Sequence, residues 1–138
     1  MRKILLTFCL SLLAAAPAFA GDDKQYSVHA PPVTLKAGAQ GAAVLTIKPG
    51  PGLHFNDEYP AKFKVEAGST VAKVRKDALS KTDGDVKTAG IDGVVTVPLQ
   101  ALAAGSGPVT IIGSFGLCNA QACFMLRNEK LTVQVTVK

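Results

Sequence analysis

Short runs in which apolar and polar residues alternate recur along most of this chain. Residues 61–66 place lysines between phenylalanine and valine, and residues 131–137 alternate leucine and valine with threonine and glutamine. A period of two predicts strands that bury one face. Residues 42–48 and 94–99 are rich in β-branched side chains and have the length of strands. The pattern therefore predicts a protein made of short strands.

Turn-forming residues separate the predicted strands. Glycine or proline interrupts the apolar runs at four places, which are residues 36–41, 49–52, 67–69 and 105–108. Residues 33–35 predict a first edge strand, and Pro98 predicts an edge position or a strand end because proline cannot donate to a ladder. About seven or eight strands, with turn signals roughly every 8–12 residues, predict an all-β fold: an antiparallel immunoglobulin-like β-sandwich in a single domain.

Three segments are predicted to lie outside the strands. Residues 21–30 are polar and predict a loose start. Residues 77–93 are the longest polar stretch and predict a long loop, which in a small domain is often functional. Residues 100–104 predict a single helical turn before the glycines that follow.

The first 20 residues have the pattern of a secretory signal peptide. Arg2 and Lys3 precede an apolar run at residues 4–16, and small residues around Ala18 and Ala20 precede a charged segment. We expect cleavage after Ala20, which makes residues 21–138 an exported, periplasmic domain. The apolar run is shorter than the roughly 18 residues that a spanning helix needs, and no later run approaches that length, so we expect no membrane span.

Removal of this segment changes the charge and the cysteine count. Of 138 residues 118 remain, and 13 of the 15 basic residues remain beside 10 acidic ones, so the net charge falls from +5 to +3. The lysines are interspersed with acids, and two tyrosines and no tryptophan are available for stacking on bases, so we predict no nucleic-acid binding. Cys9 leaves with the signal peptide, and Cys118 and Cys123 remain in what we expect to be a monomer.

The pair Cys118 and Cys123 is where we expect chemistry. Four residues separate the two cysteines, and strand patterns precede and follow them, so the pair should lie at a connection between two strands. A disulfide across so short a ring adds only about 2 kcal/mol to stability in the chain-entropy estimate. Short-range, exposed disulfides are often the exchangeable ones. The pair is therefore a candidate for thiol-disulfide exchange, and an inert local disulfide in a binding or structural module is the alternative.

Four further residues are candidates for the surroundings of the pair. Arg127 and Lys130 follow it closely, and they are candidates for stabilising a thiolate or for solvated charges at a strand edge. His54 and Tyr59 lie in a polar connection, where they either line the cysteine site or cap a strand.

Soft metal ligands are present but scattered. His29, His54, Met125 and the two cysteines are of the kind that Cu(I) prefers, and no spacing groups them. Copper binding is thus a weaker alternative, and we predict no metal site and no cofactor. The sequence also contains no hydrolase motif and no glycine-rich phosphate loop.

Three segments occur in an order that is more specific than any one of them. They are GLHFNDEYPAKFKV at residues 52–65, VVTVPL at residues 94–99 and FGLCNAQACF at residues 115–124, before a closing strand. Together they resemble the N-terminal periplasmic, immunoglobulin-like domain of the thiol:disulfide interchange protein DsbD, over about residues 52–138. The resemblance implies a domain that relays electrons through one cysteine pair to or from thioredoxin-like exported or membrane proteins. It also implies that Cys123 forms the mixed disulfides with partners and that Cys118 resolves them.

The chain departs from that family in two respects. The cysteines are one residue closer together than in the better-known members. The family shields its pair with a cap loop that carries an aromatic residue, and the corresponding residues 77–87 contain none. Shielding, if present, is then expected from Phe55 or Tyr59. The family's membrane-spanning electron source has no counterpart in this sequence, so we expect a separate protein to supply the electrons.

Overall fold

A computed structural model describes residues 25–67 and 69–138. The predicted signal peptide, its cleavage site and Cys9 lie outside the described residues. The described part contains strands and no helix, and so no helix that is long and apolar enough to cross a membrane. The strands are β1 (Tyr26–His29), β2 (Val33–Leu35), β3 (Gln40–Pro49), β4 (His54–Phe55), β5 (Lys62–Ala67), β6 (Ala72–Val74), β7 (Ala78–Ser80), β8 (Val86–Ala89), β9 (Asp92–Ala101), β10 (Gly105–Cys118) and β11 (Cys123–Val137).

Two sheets face each other, as the predicted immunoglobulin-like β-sandwich requires. The first sheet has the order β1-β3-β9-β6, with β8 also paired to β9. The second has the order β2-β11-β10-β5-β7, with β4 also paired to β10. Neighbouring strands are antiparallel, except that the short edge strand β2 runs parallel to the end of β11. The all-β sandwich prediction is confirmed, and the parallel pair is an addition to it.

A cluster of aromatic rings fills the core near the end of the sandwich where β10 meets β4. Phe115 stacks on Phe55 and Phe63, with ring centroids 5.9 and 6.0 Å away, and meets Tyr26 edge-on at 5.2 Å. Gly113 makes room for this cluster, because a Cβ atom there would lie 2.0 Å from the Phe63 ring. The cluster fixes the strands that hold the two cysteines.

Two of the segments predicted to lack strands contain them. Within residues 77–93, β7 pairs with β5, β8 pairs with β9, and Leu79 and Val86 are buried in the core. At the start of the chain, β1 pairs with β3 and buries Tyr26. These predictions were wrong because the pairing partners are distant in sequence, and one buried side chain in each short strand gives too weak a local pattern to detect.

The segment around residues 98–108 also differs from its prediction. Residues 100 and 101 continue β9 rather than starting a helical turn, and β10 already begins at Gly105. Pro98 lies inside β9, which has strands on both sides. Its carbonyl accepts a hydrogen bond from the Arg75 N–H at 2.9 Å, just beyond the end of β6, which pairs with β9 from Leu99. Proline cannot return a hydrogen bond to Arg75, so the pairing of β6 with β9 ends at this point.

Candidate functional site

The two cysteines face each other across the tip of the β10–β11 hairpin and form a disulfide. Cys118 ends β10, Cys123 begins β11, and their Cα atoms are 4.0 Å apart. Asn119 shapes the turn between them. Its N–H donates to the Ala122 carbonyl at 2.9 Å, and its Oδ1 accepts from the N–H groups of Gln121 and Ala122 at 2.8 Å. The predicted position of the pair, at a connection between two strands, is confirmed.

The two cysteines differ in their exposure to solvent. Cys118 is only 5% exposed, whereas Cys123 is exposed. The difference follows from strand order: Cys118 lies between β4 and β11, where it pairs with His54 on one side and Cys123 on the other. Cys123 lies on β11, whose second neighbour, β2, pairs only with residues 135–137. One residue of the disulfide is therefore enclosed and the other open.

Side chains from the three strands form two parallel rows on the outer face. The register places His54, Cys118 and Cys123 in one row. The next row on that face consists of Asn56, Gly116 and Met125, because Asn56 N–H donates to the Gly116 carbonyl at 2.8 Å and Met125 pairs with Gly116. A Cβ atom on Gly116 would lie 3.1 Å from Met125 Cε and 3.3 Å from Asn56 Cβ. The glycine thus lets its two neighbours approach each other beside the disulfide.

A shallow polar groove of about 450 Å³ adjoins the disulfide. One wall is the connection after β4, which includes Asn56, whose Nδ2 lies 4.0 Å from Cys123 Sγ. Asp57 holds this connection to β8 and to the turn after β7, because it accepts a hydrogen bond from Thr88 Oγ1 at 2.8 Å and forms an ion pair with Lys81 at 2.6 Å. The Lys81 and Thr88 hydrogen bonds lower the pKa of Asp57 below its usual 3.8. These contacts hold the connection after β4 in place beside the disulfide.

The predicted neighbours of the pair divide into two groups. His54 lines the groove beside Cys118, which agrees with the prediction that it lines the cysteine site. Tyr59 lines a different groove, together with Lys62 and Lys64. Phe55 is 2% exposed and its ring belongs to the core cluster. Neither aromatic residue therefore shields Cys123, which remains exposed.

The two cations that follow the pair in sequence lie away from it. Arg127 and Lys130 are about 13 and 23 Å along β11 from Cys123 at the rise of an extended strand. Lys130 forms an ion pair with Glu66 at 2.8 Å. Lys130 is therefore engaged away from the sulfurs, and the alternative of a solvated charge on a strand fits it. For Arg127 both interpretations stay predictions.

The soft ligands considered for copper are only partly brought together. His54 shares a row with the cysteines, and Met125 lies in the adjacent row. His29 ends β1 in the other sheet, opposite Thr46. Across residues 25–67 and 69–138, no group of three or more His, Cys, Asp and Glu residues is arranged to hold a metal ion.

Sequence reasoning did not identify Asn56 or Gly116 as residues of the site, and it considered Met125 only as a soft metal ligand. They meet only because β4 pairs with β10 and β10 pairs with β11. The available signal was position: Met125 lies two residues after Cys123, so in a strand both side chains point to the same face. The asymmetric enclosure of Cys118 depends on the β4 pairing and had no local signal.

Comparisons with known proteins give no family assignment. No model of a protein family matches the sequence, and no curated protein matches it. Similar solved structures include AggA, the major subunit of aggregative adherence fimbriae type I from Escherichia coli (14% identity, 82% of this chain and 94% of that chain, TM-score 0.43). Another is murine CRIg (13% identity, 83% of this chain and 99% of that chain, TM-score 0.42). A third is a chain of the Coh-OlpA-Doc918 cohesin-dockerin complex from Clostridium thermocellum (12% identity, 83% of this chain and 100% of that chain, TM-score 0.40). Likeness at this level carries no information on activity.

Proposed function

We propose that this protein is an exported thiol-disulfide exchange domain. Its Cys118–Cys123 pair relays electrons to or from thioredoxin-like partners in the periplasm. The observation that supports this most directly is the unequal exposure of the two disulfide-bonded residues, with Cys118 enclosed and Cys123 open. A structural disulfide has no need of an open sulfur, whereas exchange requires one that a partner can reach.

The order of the strands also suits the direction of exchange. In displacement at sulfur, the attacking thiolate approaches from the side opposite to the leaving sulfur. At Cys123 the leaving sulfur of Cys118 lies toward β10, and the opposite side faces the uncovered part of β11. At Cys118 the corresponding side is occupied by β4 and His54. Attack on Cys123 with departure of Cys118 is thus the open route.

The proposed reaction transfers two electrons from a partner dithiol. A partner thiolate attacks Cys123 Sγ, a bond forms between the two sulfurs, and the Cys118–Cys123 bond breaks. Cys118 leaves as a thiolate and takes a proton. The partner's second thiol then displaces Cys123, which gives the partner's disulfide and two reduced cysteines in this protein. The reverse sequence passes the electrons to an oxidised partner.

The resemblance to the DsbD domain and the signal-peptide pattern support the same proposal. The first accounts for a single cysteine pair at the end of an immunoglobulin-like sandwich. The second supports export to a compartment where disulfides form. In cells, the exported protein is expected in the periplasmic fraction, with Gly21 as its first residue by mass spectrometry. Retention of residues 1–20 on a cytoplasmic protein would contradict this location.

The midpoint potential of the disulfide tests the function. The purified exported protein is equilibrated with dithiothreitol buffers of graded ratio, and its free thiols are counted by alkylation and mass spectrometry. An exchangeable pair is expected to have a potential above about −300 mV. A potential well below that value would identify the pair as an inert disulfide and would overturn the proposal.

A further inference from the structure

The outer edge of β11 next to Cys123 has no strand partner in the described part of the chain. β10 pairs along one edge of β11, and β2 covers the other edge only at residues 135–137. An irregularity in the ladder follows Leu126, where Asn128 has a φ of 57°. Such a bulge ends regular pairing along an edge. The open and regular edge is therefore short and consists of residues 123–126.

The backbone groups that face this edge can be deduced from the hairpin. Asn119 N–H bonds to the Ala122 carbonyl, so residues 119 and 122 form a hydrogen-bonded pair. Pairs alternate along an antiparallel ladder, which makes 118/123 and 116/125 non-hydrogen-bonded pairs. The 4.0 Å between the Cα atoms of the cysteines agrees with the narrower kind of pair. The N–H and C=O groups of Cys123 and Met125 therefore point away from β10, toward the open edge.

We propose that this edge binds an extended, cysteine-bearing polypeptide segment as an added β-strand, which delivers its thiol to Cys123. The inference rests on the proposed exchange function and adds a substrate class to it. Thioredoxin-like proteins present their reactive cysteine at the start of a helix. In addition to such partners, the edge fits a cysteine within an extended stretch, whose own N–H and C=O groups pair with those of Cys123.

The geometry of an added strand places the reacting sulfurs together. A residue opposite Cys123 would form a hydrogen-bonded pair with it, at a Cα separation of about 5.5 Å. Disulfides span Cα separations of about 4.4–6.8 Å. The incoming cysteine would also lie on the far side of Cys123 from Cys118, which is the side required for displacement. Its thiolate forms a bond to Cys123 Sγ as the bond to Cys118 breaks, and Cys118 leaves as a thiolate that takes a proton.

Two peptides with one difference test this edge. The first is acetyl-Val-Thr-Cys-Thr-Val-amide, and the second carries a methyl group on the backbone nitrogen of its cysteine. Both have the same thiol, but the methylated peptide cannot donate a hydrogen bond to the Cys123 carbonyl. The rate constant for mixed-disulfide formation with the oxidised, exported protein is measured for each by quenched-flow mass spectrometry, with glutathione as a reference thiol.

We expect the unmethylated peptide to react about tenfold faster, the effect of one to two net hydrogen bonds. Met125→Pro removes an edge N–H that makes no bond to β10, and it should slow the unmethylated peptide about fivefold relative to glutathione, the effect of one net hydrogen bond. Equal rates for the two peptides with the wild-type protein would overturn the edge proposal while leaving exchange intact. If neither peptide nor glutathione opens the disulfide, the proposed function itself fails.

Discussion

Cys118 and Cys123 are chemically identical residues that the fold makes unequal. The sequence predicts their position at a strand connection, because strand patterns lie on both sides of them. It does not predict which one is enclosed, because that depends on β4, which is only two residues long and pairs with Cys118 from more than 60 positions away. The role assigned to each cysteine by the resemblance agrees with their exposure but was not derivable from spacing.

Replacing each cysteine separately should give opposite results. In Cys118→Ser, Cys123 is left as an exposed thiol with an open edge, so it should form mixed disulfides with a thioredoxin-like protein or with glutathione disulfide. In Cys123→Ser, the remaining thiol is enclosed beside β4, and its rate of reaction should be at least about tenfold lower. Non-reducing electrophoresis after acid quenching measures both. Equal trapping by the two variants would show that exposure does not decide the roles.

Gly113 is expected to tolerate no side chain. A Cβ atom there would lie 2.0 Å from the ring of Phe63, which is fully buried and stacked on Phe115. Gly113→Ala should therefore lower the free energy of unfolding by about 1–3 kcal/mol, the usual cost of overpacking. Urea denaturation followed by circular dichroism measures the loss.

Gly107→Ala is the matched control on the same strand. Its nearest neighbour would be the Ser69 hydroxyl oxygen at 3.2 Å, so only a small adjustment would be needed, whereas the contact at Gly113 is 2.0 Å. We expect a change of less than about 1 kcal/mol, because alanine also reduces the entropy of the unfolded chain. A similar loss in both variants would mean that the aromatic cluster is not what makes Gly113 sensitive.

At the scale of elements, local patterns identified the long strands and the short edge strand β2, and missed several other short ones. β3, β9 and β11 each have several alternating buried residues, and the sequence predicts all three. β7 and β8 have one clearly buried residue each, and their stability comes from pairing with β5 and β9. The polar stretch at residues 77–93 therefore resembles a loop in sequence while adding an edge strand to each sheet.

The same stretch, residues 77–93, also holds the wall of the site through Asp57, which gives a pH dependence. Its pKa is lowered by hydrogen bonds from Lys81 first and Thr88 second. A lowered folded-state pKa means that these contacts stabilise the fold above the usual value of 3.8 and are lost as the pH falls through the lowered pKa. NMR titration of the Asp57 carboxyl carbon should give a midpoint below 3.8.

Two substitutions separate the causes of that shift. Lys81→Met should raise the pKa of Asp57 toward its usual value, and Thr88→Val should raise it by less, because Lys81 makes the larger contribution. Both variants should keep the disulfide, since neither residue touches the sulfurs. A wild-type midpoint at or above 3.8 would show that the connection after β4 is not held by Asp57 in solution.

At the scale of the whole molecule, the sequence predicts the class of fold because many weak local signals agree. Alternation, turn residues and the lack of helical periodicity all favour a sandwich. The path of the chain at its ends is less predictable, and the parallel pairing of β2 with β11 has no local signature. The site belongs to this less predictable part, since it is assembled from β4, β10 and β11 at one end of the second sheet.

The position of the disulfide within the fold determines what its reduction should cost. Residues 105–118 and 123–137 are already joined by a continuous antiparallel ladder with one irregularity, and the turn between them has its own hydrogen bonds. The hairpin therefore holds Cys118 and Cys123 next to each other in the folded state even when the disulfide is reduced. Most of the core, including the stacked rings of Phe63 and Phe115, lies on the far side of Gly116 from the hairpin tip.

Reduction should leave the protein folded and only slightly less stable. The chain-entropy estimate for so short a ring is about 2 kcal/mol, which is an upper value if the hairpin retains some structure in the unfolded state. Urea denaturation with and without a phosphine reductant measures the difference, and Cys118→Ser/Cys123→Ser serves as the control for the reduced state. A protein that passes electrons must remain folded in both redox states. Unfolding on reduction, or a loss above about 4 kcal/mol, would show instead that the fold depends on this bond as a structural one.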